Sequence, residues 1–445
     1  MKRNYNALWW ILGLGSQLQI VASLSISEAV VLVMAPFIFL RHRHEMRQDG
    51  VMTFWMLSIA LLLGCVVAIV ANRTPSVFAL RGMAVVILIP CAIIVSHWLL
   101  RRCPGGFKWY LCGSAISGVL CIFVLQKSVE VAMLAGGQAG NGAVEEIVSG
   151  PIFWISRVNP FVMLSTKGWF LKTPILVDFI VVVALFVFSA MITISGRSAA
   201  LGALGFLFLL LIGGKCRRTM KRVCKNFWII LACAIIGIFV VKNGYSFAAS
   251  SGLMGDSAKA KYEIQTKGDK GLMALLLGGR MESFCGLIAA TDKPIVGFGP
   301  WAEDTGGYVE RFIREYGTME DYQNHLNLQQ FYLKNGFYVW KGIPCHGQLT
   351  QFWVWYGVSG LIFVLYCVFC LIRYLKSDCW AVPQWYAWLA CSIPSMLWAM
   401  FFSPFSDRIG FPLFIVACLM ARAVRKGKFQ LPPKMIYEIE KAEMR

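Results

Sequence analysis

Charge is what this sequence is short of. Only 15% of its 445 residues are charged, against about one quarter in a soluble domain. Acidic residues are the scarcer kind, 23 Asp and Glu against 42 Lys and Arg. Internal repeats are lacking too, which speaks against the two related halves from which many secondary transporters are built. No group of His, Cys and acidic residues has metal-ligand spacing, no glycine-rich phosphate loop stands out, and no Ser/His/Asp set has a recognisable order. A cleavable signal peptide is not expected either. The start, Met1 to Asn6, is basic and polar, but the apolar stretch behind it runs on without a small-residue cleavage site.

What is present is apolar and continuous. Hydrophobic residues make up 58% of the chain, the mean hydropathy is +0.64, and the runs approach the ~20 residues needed to cross ~30 Å of hydrocarbon. Spans are expected over 8–22, 25–40, 51–71, 76–100, 109–126, 175–195, 198–214, 227–242, 348–372, 380–402 and 408–423. The net charge of +19 would suggest nucleic acid in a soluble chain. Here the basic residues sit in short stretches between spans, Arg41–Arg47, Arg101–Lys108, Lys215–Lys225, Arg373–Lys376 and Arg422–Lys428, as cytoplasmic loops require. No nucleic-acid partner is therefore expected.

The positive-inside rule also exposes a parity problem. Residues 101–108 and 215–225 both belong inside, yet only three clear crossings separate them. A weak span over 150–168 restores an even number and places Arg197 at the outer surface. The expected fold is an all-α polytopic membrane protein of about twelve transmembrane helices. It divides into N-terminal helices over 1–242, one large water-facing loop with short helices over 243–347, and C-terminal helices with a short tail over 348–445. A loop of that length far exceeds the usual ~4–6 residue connection and implies a binding or catalytic task.

Fifteen cysteines are mostly scattered singly through apolar runs, where a free thiol acts as a small apolar side chain. Cys367 and Cys370 form a CxxC inside a span, so no metal site is read there. Cys285 and Cys345 alone fall in the large loop, and whether they pair depends on whether it faces an oxidising compartment.

Ionisable groups at membrane depth are costly and worth inspection. His97 and Arg81 lie near span ends, where polar side chains snorkel. Glu28 and Asp178 are each suited to pair with a basic neighbour on another span. Arg197 lies between two apolar runs in Thr193-Ile-Ser-Gly-Arg-Ser-Ala-Ala-Leu-Gly. It is either a turn arginine or a fixed cation at the mouth of the bundle, able to grip phosphate oxygens bidentately. His346 stands at the outer entrance to a span, either solvated or a base that titrates near neutrality. His325 is its rival, in a run of Asn and Gln.

The order of short motifs resembles a known family. An apolar run ends in Ser-Gly-Arg197-Ser-Ala-Ala-Leu. Gly-Arg280-Met-Glu-Ser-Phe follows, then Lys293-Pro-Ile-Val-Gly-Phe-Gly-Pro300, then His346-Gly-Gln-Leu-Thr-Gln-Phe-Trp-Val-Trp-Tyr-Gly-Val-Ser-Gly. With the ending Ser403-Pro-Phe-Ser-Asp-Arg408, this resembles the O-antigen ligase and O-antigen polymerase superfamily of bacterial inner-membrane glycosyltransferases, most clearly over 175–372. Two departures from that pattern are a glycine, not a serine, before Arg197, and Gly347-Gln348 after His346.

The resemblance implies a multi-pass protein of the inner membrane with its active face periplasmic. The donor is then a glycan on undecaprenyl diphosphate. The acceptor is lipid A–core in a ligase, or another lipid-linked repeat unit in a polymerase of O-antigen, capsule or exopolysaccharide. No cofactor and no metal ion are implied. By the same resemblance Arg197 and Arg280 bind the diphosphate and stabilise the departing charge, an effect of ~2.7–4 kcal/mol per donor. His346 deprotonates or orients the acceptor hydroxyl, an effect of ~100–10,000-fold. Two rival classes stay open: a transporter or flippase for a polyprenyl-linked or anionic solute, and an envelope scaffold.

Overall fold

The computed structural model describes residues 5–16, 18–21, 24–123, 272–316, 342–345, 347–378 and 408–431, with isolated positions between 243 and 262 and between 381 and 405. The described part is mostly helical. The helices are α1 (Tyr5–Leu14), α2 (Ile26–Gln48), α3 (Met52–Ala71), α4 (Ser76–Arg102), α5 (Phe107–Phe123), α6 (Leu272–Asp292), α7 (Tyr308–Tyr316), α8 (Gln348–Arg373) and α9 (Gly410–Arg425). Three helical stretches, Met52–Ala71, Ser76–Arg102 and Gln348–Ser377, are long and apolar enough to cross a membrane, with mean hydropathies of 2.6, 2.5 and 2.2. Large apolar side chains such as Phe37, Leu63, Val70 and Leu80 are exposed on the outside of the bundle, as contact with lipid requires. The spans expected over 150–168, 175–195, 198–214 and 227–242 lie outside the described residues.

The N-terminus departs from expectation. In place of a span over 8–22, α1 is 10 residues long, about 15 Å at 1.5 Å per residue, and too short to cross. Past Leu14 the chain turns through Gly15 and Ser16. It then forms a two-stranded antiparallel ribbon, β1 (Gln19–Val21) with β2 (Leu24–Ser25). Apolar composition concealed the break, which lies in the Gly-Leu-Gly-Ser stretch. A side-chain carbon on Gly13 would stand 2.4 Å from the Tyr110 carbonyl oxygen, and one on Gly113 would stand 2.8 Å from Leu14 N. The backbones of α1 and α5 therefore cross in direct contact.

Two ends of the bundle differ in charge. At the basic end, Arg47, Arg101, Arg102, Arg373, Arg422 and Arg425 occupy last turns of their helices, where a cation also favours the helix dipole. Asp49 is buried there between His97, whose Nε2 lies 2.8 Å from Oδ2, and the Arg101 guanidinium. Glu45 pairs with Arg102 at 2.9 Å and Arg101 at 3.4 Å. His97 is thus not a snorkelling side chain but a fully buried tie between the ends of α2 and α4.

The stretch expected to be a water-facing loop is partly built into the bundle. α8 breaks at Gly357, with φ 60° and ψ −144°, a conformation essentially reserved for glycine. The break frees peptide groups in apolar surroundings, where each must find a partner. Residues 295–299, between α6 and α7, supply them. Phe298 N–H donates to the Val354 carbonyl (2.7 Å), Gly299 N–H to the Trp355 carbonyl (3.1 Å), and Val358 N–H to the Ile295 carbonyl (3.0 Å). The Trp353 indole N–H donates to the Pro294 carbonyl (3.2 Å). Asn72, at the end of α3, donates to the Gly297 carbonyl (3.0 Å) and accepts from Lys293 Nζ (2.7 Å). The Lys293–Pro300 motif is therefore a plug for a helix break.

A methyl group at position 357 would stand 2.0 Å from the Ile295 carbonyl oxygen. Gly357→Ala is expected to cost about 3 kcal/mol or more, from backbone strain and overpacking together. Gly50, with φ 78° and open space around it, should lose only about 1 kcal/mol on the same change. Melting curves of the purified detergent-solubilised protein, followed by size-exclusion chromatography, compare the two. Equal curves for both variants would contradict the plug.

Candidate functional site

The plug leads directly to a cleft at the end of the bundle away from the basic helix termini. Its volume is about 260 Å³, and Trp301, Gln351, Phe352, Trp355, Phe405 and Arg408 line it. α8 contributes Gln351, Phe352 and Trp355 from its first turns, before the break. Trp301 follows the plug. Phe405 and Arg408 precede α9.

Arg408 is held by a carboxylate prepared elsewhere. Ser25 caps α2: its hydroxyl accepts from Glu28 N–H (3.2 Å), and its own N–H donates to Glu28 Oε2 (2.7 Å), a capping box. The other carboxylate oxygen, Oε1, lies 3.3 Å from an Arg408 terminal nitrogen. The Glu28 side chain is 9% exposed and that of Arg408 21%. Glu28 is thus neither a stray acid nor a free one. One oxygen closes a helix end and the other anchors a guanidinium 380 residues away.

The aromatic wall is also fixed. Trp301 has φ 52°, unusual for a bulky residue and costing on the order of 1–3 kcal/mol. Its ring lies 4.4 Å from that of Trp355, centroid to centroid. Gln351 is 7% exposed, and its side-chain oxygen accepts from Phe405 N–H (2.8 Å). The NH2 end, with two donors, remains for the cleft.

Behind this wall, α7 packs on α6. Asp304 caps α7 through Tyr308 N–H (2.8 Å) and Val309 N–H (3.2 Å). Tyr308 O–H and Arg311 both donate to Asp292 Oδ2 at 2.9 Å, and Phe284 stacks on Phe312. The Tyr308 hydroxyl first, then Arg311, holds the Asp292 carboxyl below the usual carboxylate range. Burial first, then Asp292, pushes Tyr308 up to about 12. This helix, Tyr308–Tyr316, is one of the short helices expected within 243–347.

Arg197, His346 and His325 lie outside the described residues, as does Asp178. Arg280 falls in the third turn of α6, and of its side chain nothing is described. Six residues further, about 9 Å along the axis, a side-chain carbon on Gly286 would stand 3.1 Å from the Pro344 carbonyl oxygen and 3.3 Å from Thr350 Cβ. The chain on either side of position 346 is placed: Cys345 beside Gly286 and Gly347 against the Phe401 carbonyl. Cys285 and Cys345 are free thiols. Burial lifts both, Cys285 to about 12. Sequence reasoning quoted Arg408 and the Trp-Val-Trp of α8 without giving them a task, because only the helix break and the plug bring them to one place.

Comparison with known proteins gives no relative: no protein-family description matches the chain, and no characterised protein resembles it significantly.

Removing Glu28 leaves Arg408 with most of its side chain out of water and without its carboxylate. Glu28→Ala is expected to destabilise by roughly 3 kcal/mol. The double change with Arg408→Ala should recover part of that loss, a coupling that a double-mutant cycle of melting free energies measures.

The Asp292 contact carries its own pH dependence. A lowered carboxylate pKa stabilises docking of α7 above about pH 4 and loses that effect as pH falls through the folded value. The raised Tyr308 holds its contribution below about pH 10 and loses it towards 12. Hydrogen exchange of residues 308–316, corrected for intrinsic rates, should show protection falling between pH 5 and 3 in wild type. The same fall should be absent in Asp292→Asn.

Proposed function

We propose that the chain transfers a glycan from undecaprenyl diphosphate to an acceptor hydroxyl at the periplasmic face of a bacterial inner membrane, as an O-antigen ligase or a polymerase of polysaccharide repeat units. One observation supports this beyond the motif order itself. The stretch carrying Arg280, the Lys293–Pro300 motif, the residues flanking position 346, and Phe405 with Arg408 meet at one end of the bundle, opposite the basic end. The positive-inside rule makes the basic end cytoplasmic, so these segments face the other compartment.

In this reading the acceptor oxygen attacks the anomeric carbon. A new C–O glycosidic bond forms as the anomeric carbon–phosphate oxygen bond breaks. Undecaprenyl diphosphate leaves with the bonding electrons, and the acceptor proton passes to His346. Arg197 and Arg280 offset the charge of the diphosphate, and attack opposite the leaving group inverts the anomeric centre. Exclusion of water matters because water would compete as acceptor.

Glycan profiling on gels tests the proposal, using cells that lack the protein and are complemented with wild type, Arg197→Ala, Arg280→Ala or His346→Ala at matched expression. Each variant should lose about 100-fold or more of transfer. Lipopolysaccharide without attached glycan, with lipid-linked polymer accumulating, identifies a ligase. Single attached repeat units identify a polymerase. Full complementation by all three variants refutes the transferase and favours transport or a scaffold role.

A further inference from the structure

The cleft beside Arg408 has a chemistry that the transfer step does not use. Among the described residues its lining cation is Arg408, which is already offset by Glu28 at 3.3 Å. A phosphate brought to Arg408 would meet that carboxylate as well, so the cleft disfavours an anion. Its other polar lining group, Gln351, offers a neutral amide. The rest of the lining is apolar and mostly aromatic: Trp301 and Trp355, their rings tilted by 39°, with Phe352, Phe405 and the aliphatic Val85. Such a surface suits a ligand with an apolar face and a rim of hydroxyls. The flat C–H face of a pyranose ring lies on an indole, and its hydroxyls take hydrogen bonds from an amide and a guanidinium. The volume of about 260 Å³ is just below the ~300–1,000 Å³ of ligand pockets, a size for one ring and not for an oligosaccharide.

Position agrees with chemistry. Gln351 stands one helical turn after Gly347, to whose carbonyl its N–H donates at 2.8 Å. The cleft therefore adjoins the chain that carries residue 346. Trp301 is held at a positive φ, and strain of this kind persists where surrounding structure over-determines it, often at ligand clamps.

We infer that Trp301, Trp355, Gln351 and the Glu28–Arg408 pair form a subsite for one neutral hexopyranose residue of the substrate glycan, separate from the arginines assigned to the diphosphate. The inference rests on the transferase reading for the saccharide and on the cleft for its place.

Saturation-transfer-difference NMR on the full chain in lipid nanodiscs tests it, free of sugar-headed detergents. The probes are methyl β-glucopyranoside, methyl β-galactopyranoside and the methyl glycoside of N-acetylglucosamine, with glycerol phosphate as anionic comparison. Trp301→Gly removes the indole but keeps a residue that adopts the same φ freely. Gln351→Glu keeps an oxygen for Phe405 N–H and removes both amide donors. Each variant is checked for an unchanged elution profile.

At least one glycoside should show ring-proton transfer in wild type, reduced about fivefold or more in both variants. It should be retained in His346→Ala and not displaced by glycerol phosphate. No glycoside signal in wild type, signals in both variants equal to that of wild type, or displacement by glycerol phosphate overturns the subsite. Glycan profiling stands apart from this result. Lost transfer with retained binding in His346→Ala supports both readings, whereas binding without any transfer phenotype removes the enzyme and leaves the saccharide site.

Discussion

A broken helix sets the terms for this structure. Inside a membrane protein a peptide N–H or carbonyl without a partner costs several kcal/mol, and α8 opens its own ladder at Gly357. The chain meets that demand with residues 295–299, which exchange three backbone hydrogen bonds with α8 around the break. Much else follows. Gly297 is required because a side chain there would stand 2.6 Å from Gly357 N, and Gly82 of α4 because one there would stand 2.2 Å from Pro300. The plug in turn delivers Trp301 onto Trp355, and so the helix break is what gives the cleft its wall.

Charge is handled differently at the two ends. At the basic end Glu45 pairs with both Arg101 and Arg102, and His97 and Arg101 converge on the Asp49 carboxylate. That is a network whose members compensate one another, suited to tying α2 to α4. At the other end the pair of Glu28 and Arg408 joins the start of α2 to the start of α9. A partly buried pair contributes little net stability. What it supplies is position: the capping box fixes the carboxylate, and the carboxylate fixes the guanidinium at the cleft.

The sequence reveals spans better than it reveals their interruptions. Runs at 51–71, 76–100 and 348–372 become α3, α4 and α8 nearly to the residue, because twenty apolar residues leave few alternatives. The run at 8–22 fails because hydropathy is blind to geometry. Its Gly-Leu-Gly-Ser stretch ends a helix that composition alone would extend. Glu28 was readable as an acid in need of a basic partner, yet Arg408 was not readable as that partner, since nothing local links positions 380 residues apart. Likewise Lys293–Pro300 stood out as a glycine-rich motif. Its purpose depends on a helix break that the sequence marks only by one glycine among several in Tyr356-Gly-Val-Ser-Gly360.

The same tether that builds the cleft also binds the segment behind it. Immediately after Trp301, the Ala302 carbonyl accepts from Ile343 N–H at 3.0 Å, and Glu303 bridges Gly342. Three residues on from Ile343 the chain reaches position 346, and at Gln348 it enters α8. The chain just after Trp301 and the approach to position 346 are therefore joined by one short antiparallel bridge, anchored below by the plug and beside it by α6 through Gly286. Displacing either segment would break backbone hydrogen bonds in a poorly hydrated setting, which makes independent motion of the two expensive. The aromatic wall and the neighbouring segment that leads to position 346 are thereby kept in fixed register, which is what the proposed transfer would need. Fixed register between a bound group and the residue that acts on it is the main thing a rigid scaffold contributes to a transfer reaction.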